Sequence, residues 1–169
     1  AGAFLLSNDD KPPYITHITT GKVIDYGITD TNNMGAAMAP AAAALIKAHF
    51  EDTQQGPDAY DLIVTGDLGS FGRELLIDLL KKEGYDIADR LIDCGCEIYS
   101  QEQDVHAGAS GCGCSAVVFG AYILKNMEEG LYRRILLLST GALLSTTSIQ
   151  QGESIPGIAH AVVIDMNRG

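Results

Sequence analysis

A chain of 169 residues, 46% hydrophobic and 20% charged, is long enough for one packed domain and too apolar for a disordered one. Its formal net charge of −11 excludes a nucleic-acid binder, since no Lys/Arg stripe can neutralise phosphates, and argues against direct docking on anionic lipid. The uncharged stretch 135–152 is rich in Ser, Thr, Gly and Gln, and no segment reads as a membrane span.

AGAFLLS (1–7) reads as a buried strand, and its lack of a polar lead-in suggests a chain that begins inside a larger fold. NDDKPP is a polar turn. The β-branched and aromatic segment 14–27 reads as one long strand. TDTNN (29–33) can cap the Ala-rich helix predicted over 34–54, which places Pro40 in its first turn or moves its start toward that proline. DLIVT (61–65) is a short buried strand, GDLGS a turn, and 71–85 an amphipathic helix ending at Gly84. Segment 91–100 is a weak strand or extended loop. A mostly apolar helix covers 113–130 and stops at Gly130. Buried strands follow at 133–141 and 159–166. This alternation predicts one α/β domain over 1–169, with a mainly parallel five-stranded sheet, helices on both faces and an antiparallel return at the end.

Chemistry concentrates in HAGASGCGCSAVVFG, which starts at His106. The cysteines form two Cys-Gly-Cys pairs, Cys94/Cys96 and Cys112/Cys114. A one-residue gap is unusual for zinc, and packing of small reduced thiols in an intracellular protein is the favoured reading. Cys112 and Cys114 precede a helix, which keeps a reactive thiol open as a minority reading. His106 lies before a glycine turn whose backbone N–H groups, at Gly108 and Ser110 among others, could bind an anion or a carbonyl oxygen. A partly buried His bonded to backbone is equally compatible. Thr65 and Asp67 in TGDLGS follow a parallel strand, where α/β folds place ligands, although an Asp that caps the next helix is the simpler reading. Ser139 and Thr140 end a strand and could line the same pocket. No phosphate-binding glycine motif is present.

Four segments together carry a resemblance. NNMGAAMAPAAAALI, TGDLGS, HAGASGCG and LLLSTGALLS resemble, in order, the helix-opening Met-Gly-x-Gly-Pro stretch, the Asn/His site, the His-containing glycine loop and the Cys-turn region of thiolases and β-ketoacyl synthases. The resemblance implies one half of a duplicated thiolase-like fold, in which two halves pack around a layer of buried helices, with the 113–130 helix in that layer. The departures are as informative. His106 is one residue nearer the Gly-Ala-Ser-Gly than in thiolases, Asp67 and its neighbours replace the Asn or His, and Ser139 and Thr140 stand in the region of the Cys. These positions look degraded for thioester condensation, and the family nucleophile belongs to the other half.

VTGDLG, MGAAMAP and HAGASGCGCSAVV are similar to the C-terminal half of the stage V sporulation protein AD family. That resemblance implies a fragment of a longer, non-catalytic protein that binds dipicolinic acid and supports its uptake, with calcium, into the developing spore. It implies a pocket between the two halves, with His106, Gly108, Ser110, Thr65, Asp67, Ser139 and Thr140 as candidate lining residues, and no cofactor or bound metal. The implied partners are its own N-terminal half, other proteins of the stage V sporulation A operon, some membrane-embedded, and a second copy in a homodimer, with no nucleic acid. The implied location is intracellular in a spore-forming bacterium, peripheral at the inner spore membrane. One alternative is a divergent β-ketoacyl synthase or thiolase acting on acyl thioesters through His106 and Cys112; another is an assembly scaffold without a ligand.

Overall fold

A computed structural model describes residues 1–168, with the side chain of Gln101 outside the description. Five strands form one mixed sheet: β1 Tyr14–Thr20, β2 Leu62–Thr65, β3 Leu91–Asp93, β4 Arg134–Ala142 and β5 Gly157–Asp165. They lie in the order β1-β5-β4-β2-β3. The β4–β2 and β2–β3 pairs are parallel, and the β1–β5 and β5–β4 pairs antiparallel. The expected return strand, β5, is therefore inside the sheet, because β1 pairs on its outer side. The C-terminal ends of β2, β3 and β4 share one edge.

Helices cover both faces. The strand period of two sends alternate residues each way. Ile63, Leu136 and Leu138 meet helices α1 (Met34–Thr53) and α2 (Gly69–Lys82). Leu62, Val64 and Ile135 meet a second layer made by α3 (Cys94–Glu97) and a helical run over 113–128. That run is α4 (Gly113–Val118), a π segment (Phe119–Ile123) and α5 (Leu124–Glu128). A last short helix, α6 (Thr146–Gln150), lies in the β4–β5 connection.

The small residues of α1 serve close approach. A Cβ on Gly35 would come within 2.4 Å of the Leu68 carbonyl oxygen, and one on Gly72 within 2.8 Å of the Gly35 Cα, so α1 and α2 touch backbone to backbone. Asn33 caps α1 by accepting the Ala36 N–H at 3.2 Å. Pro40 sits well inside α1, not in its first turn. The helix starts at the Asn33 cap, and tight burial among Ala39, Ala41 and Ala42 outweighs the lost bond and the local clash.

Two other expectations are corrected. AGAFLLS pairs with no strand. It crosses the α4 side as an extended strap, with the Phe4 ring 5.2 Å from Phe119, Gly2 against the Ala116 carbonyl and Leu5 94% exposed. Residues 1–7 are all exposed in this chain, so the segment is neither a strand nor buried. The long strand over 14–27 stops at Thr20, after which only an Ile24–Gly157 bridge continues. Within this chain the 113–130 segment buries one side, through Cys114, Val118, Ile123 and Met127, and leaves Gly120, Ala121 and Tyr122 exposed on the other. Among the described residues, no helix is long and apolar enough to cross a membrane.

Candidate functional site

The common edge of β2, β3 and β4 gathers three segments: the turn 66–69 after β2, α3 after β3, and the glycine loop 104–112 before α4. Two aspartates organise them.

Asp93 ends β3 directly beside Thr65 in the parallel ladder and is fully buried. Its Oδ2 accepts the Thr65 hydroxyl at 2.7 Å and the Leu68 N–H at 2.8 Å. Its Oδ1 accepts the Gly69 N–H at 3.0 Å and the Gly95 N–H at 3.1 Å. One carboxylate thus caps α3 and satisfies orphan donors at the start of α2. Sequence reasoning gave the α2 cap to Asp67 and passed over Asp93. The available signal was a lone Asp at a strand end, in front of a Cys-Gly pair.

Asp67 is neither a cap nor a free base. Its Oδ2 accepts the Gly111 N–H at 2.7 Å and the Ser110 hydroxyl at 3.4 Å, and its Oδ1 accepts the Thr140 hydroxyl at 3.1 Å. It therefore joins the loop after β2 to the glycine loop and to the end of β4.

The glycine loop packs backbone against backbone. Ala109 N–H donates to the Gly95 carbonyl at 2.8 Å, and Ser70 N–H donates to the Ala107 carbonyl at 2.7 Å. A Cβ on Gly95 would stand 2.4 Å from the Ala109 oxygen. Gly108, at φ +115°, would bring one within 2.6 Å of the Gly95 oxygen. The first Cys-Gly-Cys pair is explained by this contact: Gly95 is the residue that lets the two loops meet.

The thiols follow their surroundings. Burial, with Asp93 close by, pushes Cys94 and Cys96 up to about 12. Burial also raises Cys114, with Asp67 and Asp93 adding to the shift, which is the reverse of what a nucleophile at a helix start needs. Cys112 is exposed, and all four cysteines are free. Among the described residues, no three His, Cys, Asp or Glu side chains are grouped to hold a metal ion.

The seven predicted residues separate into four sets. Asp67, Ser110 and Thr140 are joined by hydrogen bonds, with Gly108 close by in the same loop. Thr65 is fully buried and committed to Asp93. Ser139 faces the opposite side of β4 from Thr140 and lines a cavity of ≈550 Å³ between the 2–6 strap, α4 and β5. His106, at φ +53°, leaves 90% of its side chain exposed, with Asp104 as its nearest charge at 3.9 Å.

The sequence matches the family described as Stage V sporulation protein AD over residues 1–165. It is 50% identical over its whole length to the Stage V sporulation protein AD of Bacillus subtilis (strain 168), of which it spans 50%. The fold overlaps a 3-oxoacyl-[acyl-carrier-protein] synthase III from Aquifex aeolicus VF5 with a TM-score of 0.43 and 14% identity, covering 94% of this chain and 55% of that one.

Proposed function

Because the chain belongs to the stage V sporulation protein AD family, we propose that it is the C-terminal half of a non-catalytic, thiolase-like protein that binds dipicolinic acid and supports its uptake into the developing spore. The observation that carries this reading is the commitment of the polar groups at the sheet edge. A condensing enzyme needs acid–base groups free to move a proton. Here Asp67 accepts from three donors and Thr65 is closed onto Asp93.

What stays available suits an anion. The N–H groups of Ser110 and Cys112 have no acceptor among the described residues, and both residues are exposed, as His106 is. A small planar dianion can bind an acidic protein only through such local donors.

The partners follow the same reading. The chain spans about half the length of its curated relative. The exposed side of α4 and its π segment, with the neighbouring ≈550 Å³ apolar cavity, supports a seat for the N-terminal half. The ligand pocket then lies between the halves. The complete protein works as a homodimer, with calcium accompanying the ligand, peripheral at the inner spore membrane through membrane-embedded proteins of the same operon.

The test is calorimetric titration of dipicolinate into the complete protein, with acetyl coenzyme A as the comparison. Saturable heat from dipicolinate and none from the thioester is the expected result. Thioester binding without dipicolinate would overturn the reading in favour of an acyl-thioester enzyme.

A further inference from the structure

We propose, resting on that reading of the site, that Asp67 is its positioning residue: it fixes the ligand-side half of the glycine loop and couples that loop to the end of β4. Four residues of the loop hold left-handed backbone: Asp104 (φ 49°), His106 (φ 53°), Gly108 (φ 115°) and Gly111 (φ 107°). Such a segment has many alternatives, so tertiary bonds must select one.

The first half of the loop is selected by backbone bonds, Ala107 to Ser70 and Ala109 to Gly95. The second half, 110–112, is the part that presents the free N–H groups. Among the described residues, it is reached from outside the loop and its helix by Asp67 alone, through the Gly111 N–H and the Ser110 hydroxyl. A carboxylate with one oxygen on the loop would still be free to rotate. Thr140 removes that freedom by donating to the other oxygen at 3.1 Å. Gly66 allows the approach, since a Cβ there would lie 3.0 Å from the Thr140 Oγ1. Loop order therefore depends on where the end of β4 lies. Asp67 does this without contacting the ligand, whose carboxylates its own charge would repel.

Two variants of the complete protein test the proposal, Asp67→Asn and Thr140→Val, each read by amide exchange over 106–114 and by dipicolinate titration. Loss of a charge-assisted bond predicts loop exchange about tenfold faster and affinity about tenfold weaker in Asp67→Asn, with smaller changes of the same sign in Thr140→Val. Exchange in β2 and β4 should stay at the wild-type rate, which a general loss of stability would not permit. Unchanged loop exchange in both variants overturns the proposal. A loosened loop with unchanged affinity overturns its link to the ligand. A wild-type protein that ignores dipicolinate overturns the functional reading instead, and the exchange measurement still decides whether Asp67 orders the loop.

Discussion

Replacing Asp93 with Ala removes a buried carboxylate that four donors share. The Thr65 hydroxyl and the N–H groups of Leu68, Gly69 and Gly95 lose their acceptor together. An orphaned buried donor costs about 1–3 kcal/mol. The carboxylate's own desolvation cost is returned on mutation, which argues for the low end, so the sum is about 4 kcal/mol. That is a large share of the roughly 5–15 kcal/mol that holds a typical domain. At about 2–4 °C per kcal/mol for a domain of this size, the melting midpoint should fall by about 8–16 °C. Asp93→Asn keeps the shape and one acceptor oxygen but turns a donor toward donors, and should fall between, near 2 kcal/mol by the same count of about 1 kcal/mol per orphaned donor. The assay is chemical denaturation of the complete protein followed by fluorescence, with calorimetry for the midpoint. An Asp93→Ala midpoint within about 1 kcal/mol of wild type would refute the shared-acceptor reasoning, because the four-donor sum could not then be real.

Three further outcomes follow from the structure. Gly95→Ala sets a Cβ 2.4 Å from the Ala109 carbonyl, an atom that cannot rotate away, so it should cost about 3 kcal/mol or disorder the glycine loop; full stability with unchanged loop exchange would contradict the contact. His49 is buried between Thr19, at 2.6 Å from its Nδ1, and the Tyr60 hydroxyl, at 2.7 Å from its Nε2, and burial lowers it from 6.5 to about 4. The unfolded chain takes up the proton below pH 6.5 while the folded chain refuses it until about 4, so stability is full above that window and is lost as pH falls through it. The loss reaches about 3 kcal/mol and should shrink in His49→Gln; equal pH slopes for the two proteins would show that His49 does not titrate this way. Cys94 and Cys114 should resist alkylation in the native protein and react once denaturant opens the fold, as followed by mass spectrometry; labelling of both at native rates would contradict their burial.

Much of the fold was legible because it rests on period and punctuation. The runs read as strands at 61–65, 133–141 and 159–166 form β2, β4 and β5 with ends shifted by one or two residues, and Gly84 and Gly130 take the left-handed backbone that closes helices. The N-terminal segment misled because apolar composition fixes neither strand pairing nor burial: residues 1–7 are all exposed in this chain. Pro40 misled because local propensity yields to packing when a helix is anchored at both ends.

At the site, the glycine loop and Asp67 were visible as motifs, but their roles were not. Whether an aspartate caps a helix or braces a distant loop depends on which chain segments meet. Asp93 and Gly111 are 26 and 44 positions from Asp67 in the sequence, and no local pattern connects them. Ser139 and Thr140 could have been separated in advance, since neighbours on a strand face opposite ways. His106 had no such signal, because a left-handed residue in an exposed loop is set by tertiary bonds on either side of it.

On the proposed reading, the residues at this edge brace and present a binding surface and turn over no thioester. The most direct measurement is release of free coenzyme A from acetyl and acetoacetyl coenzyme A by the complete protein, beside a His106→Ala variant. Release at the rate of the protein-free control is expected for both proteins. Release well above that control by the wild type, abolished in His106→Ala, would contradict it and make the glycine loop a catalytic one.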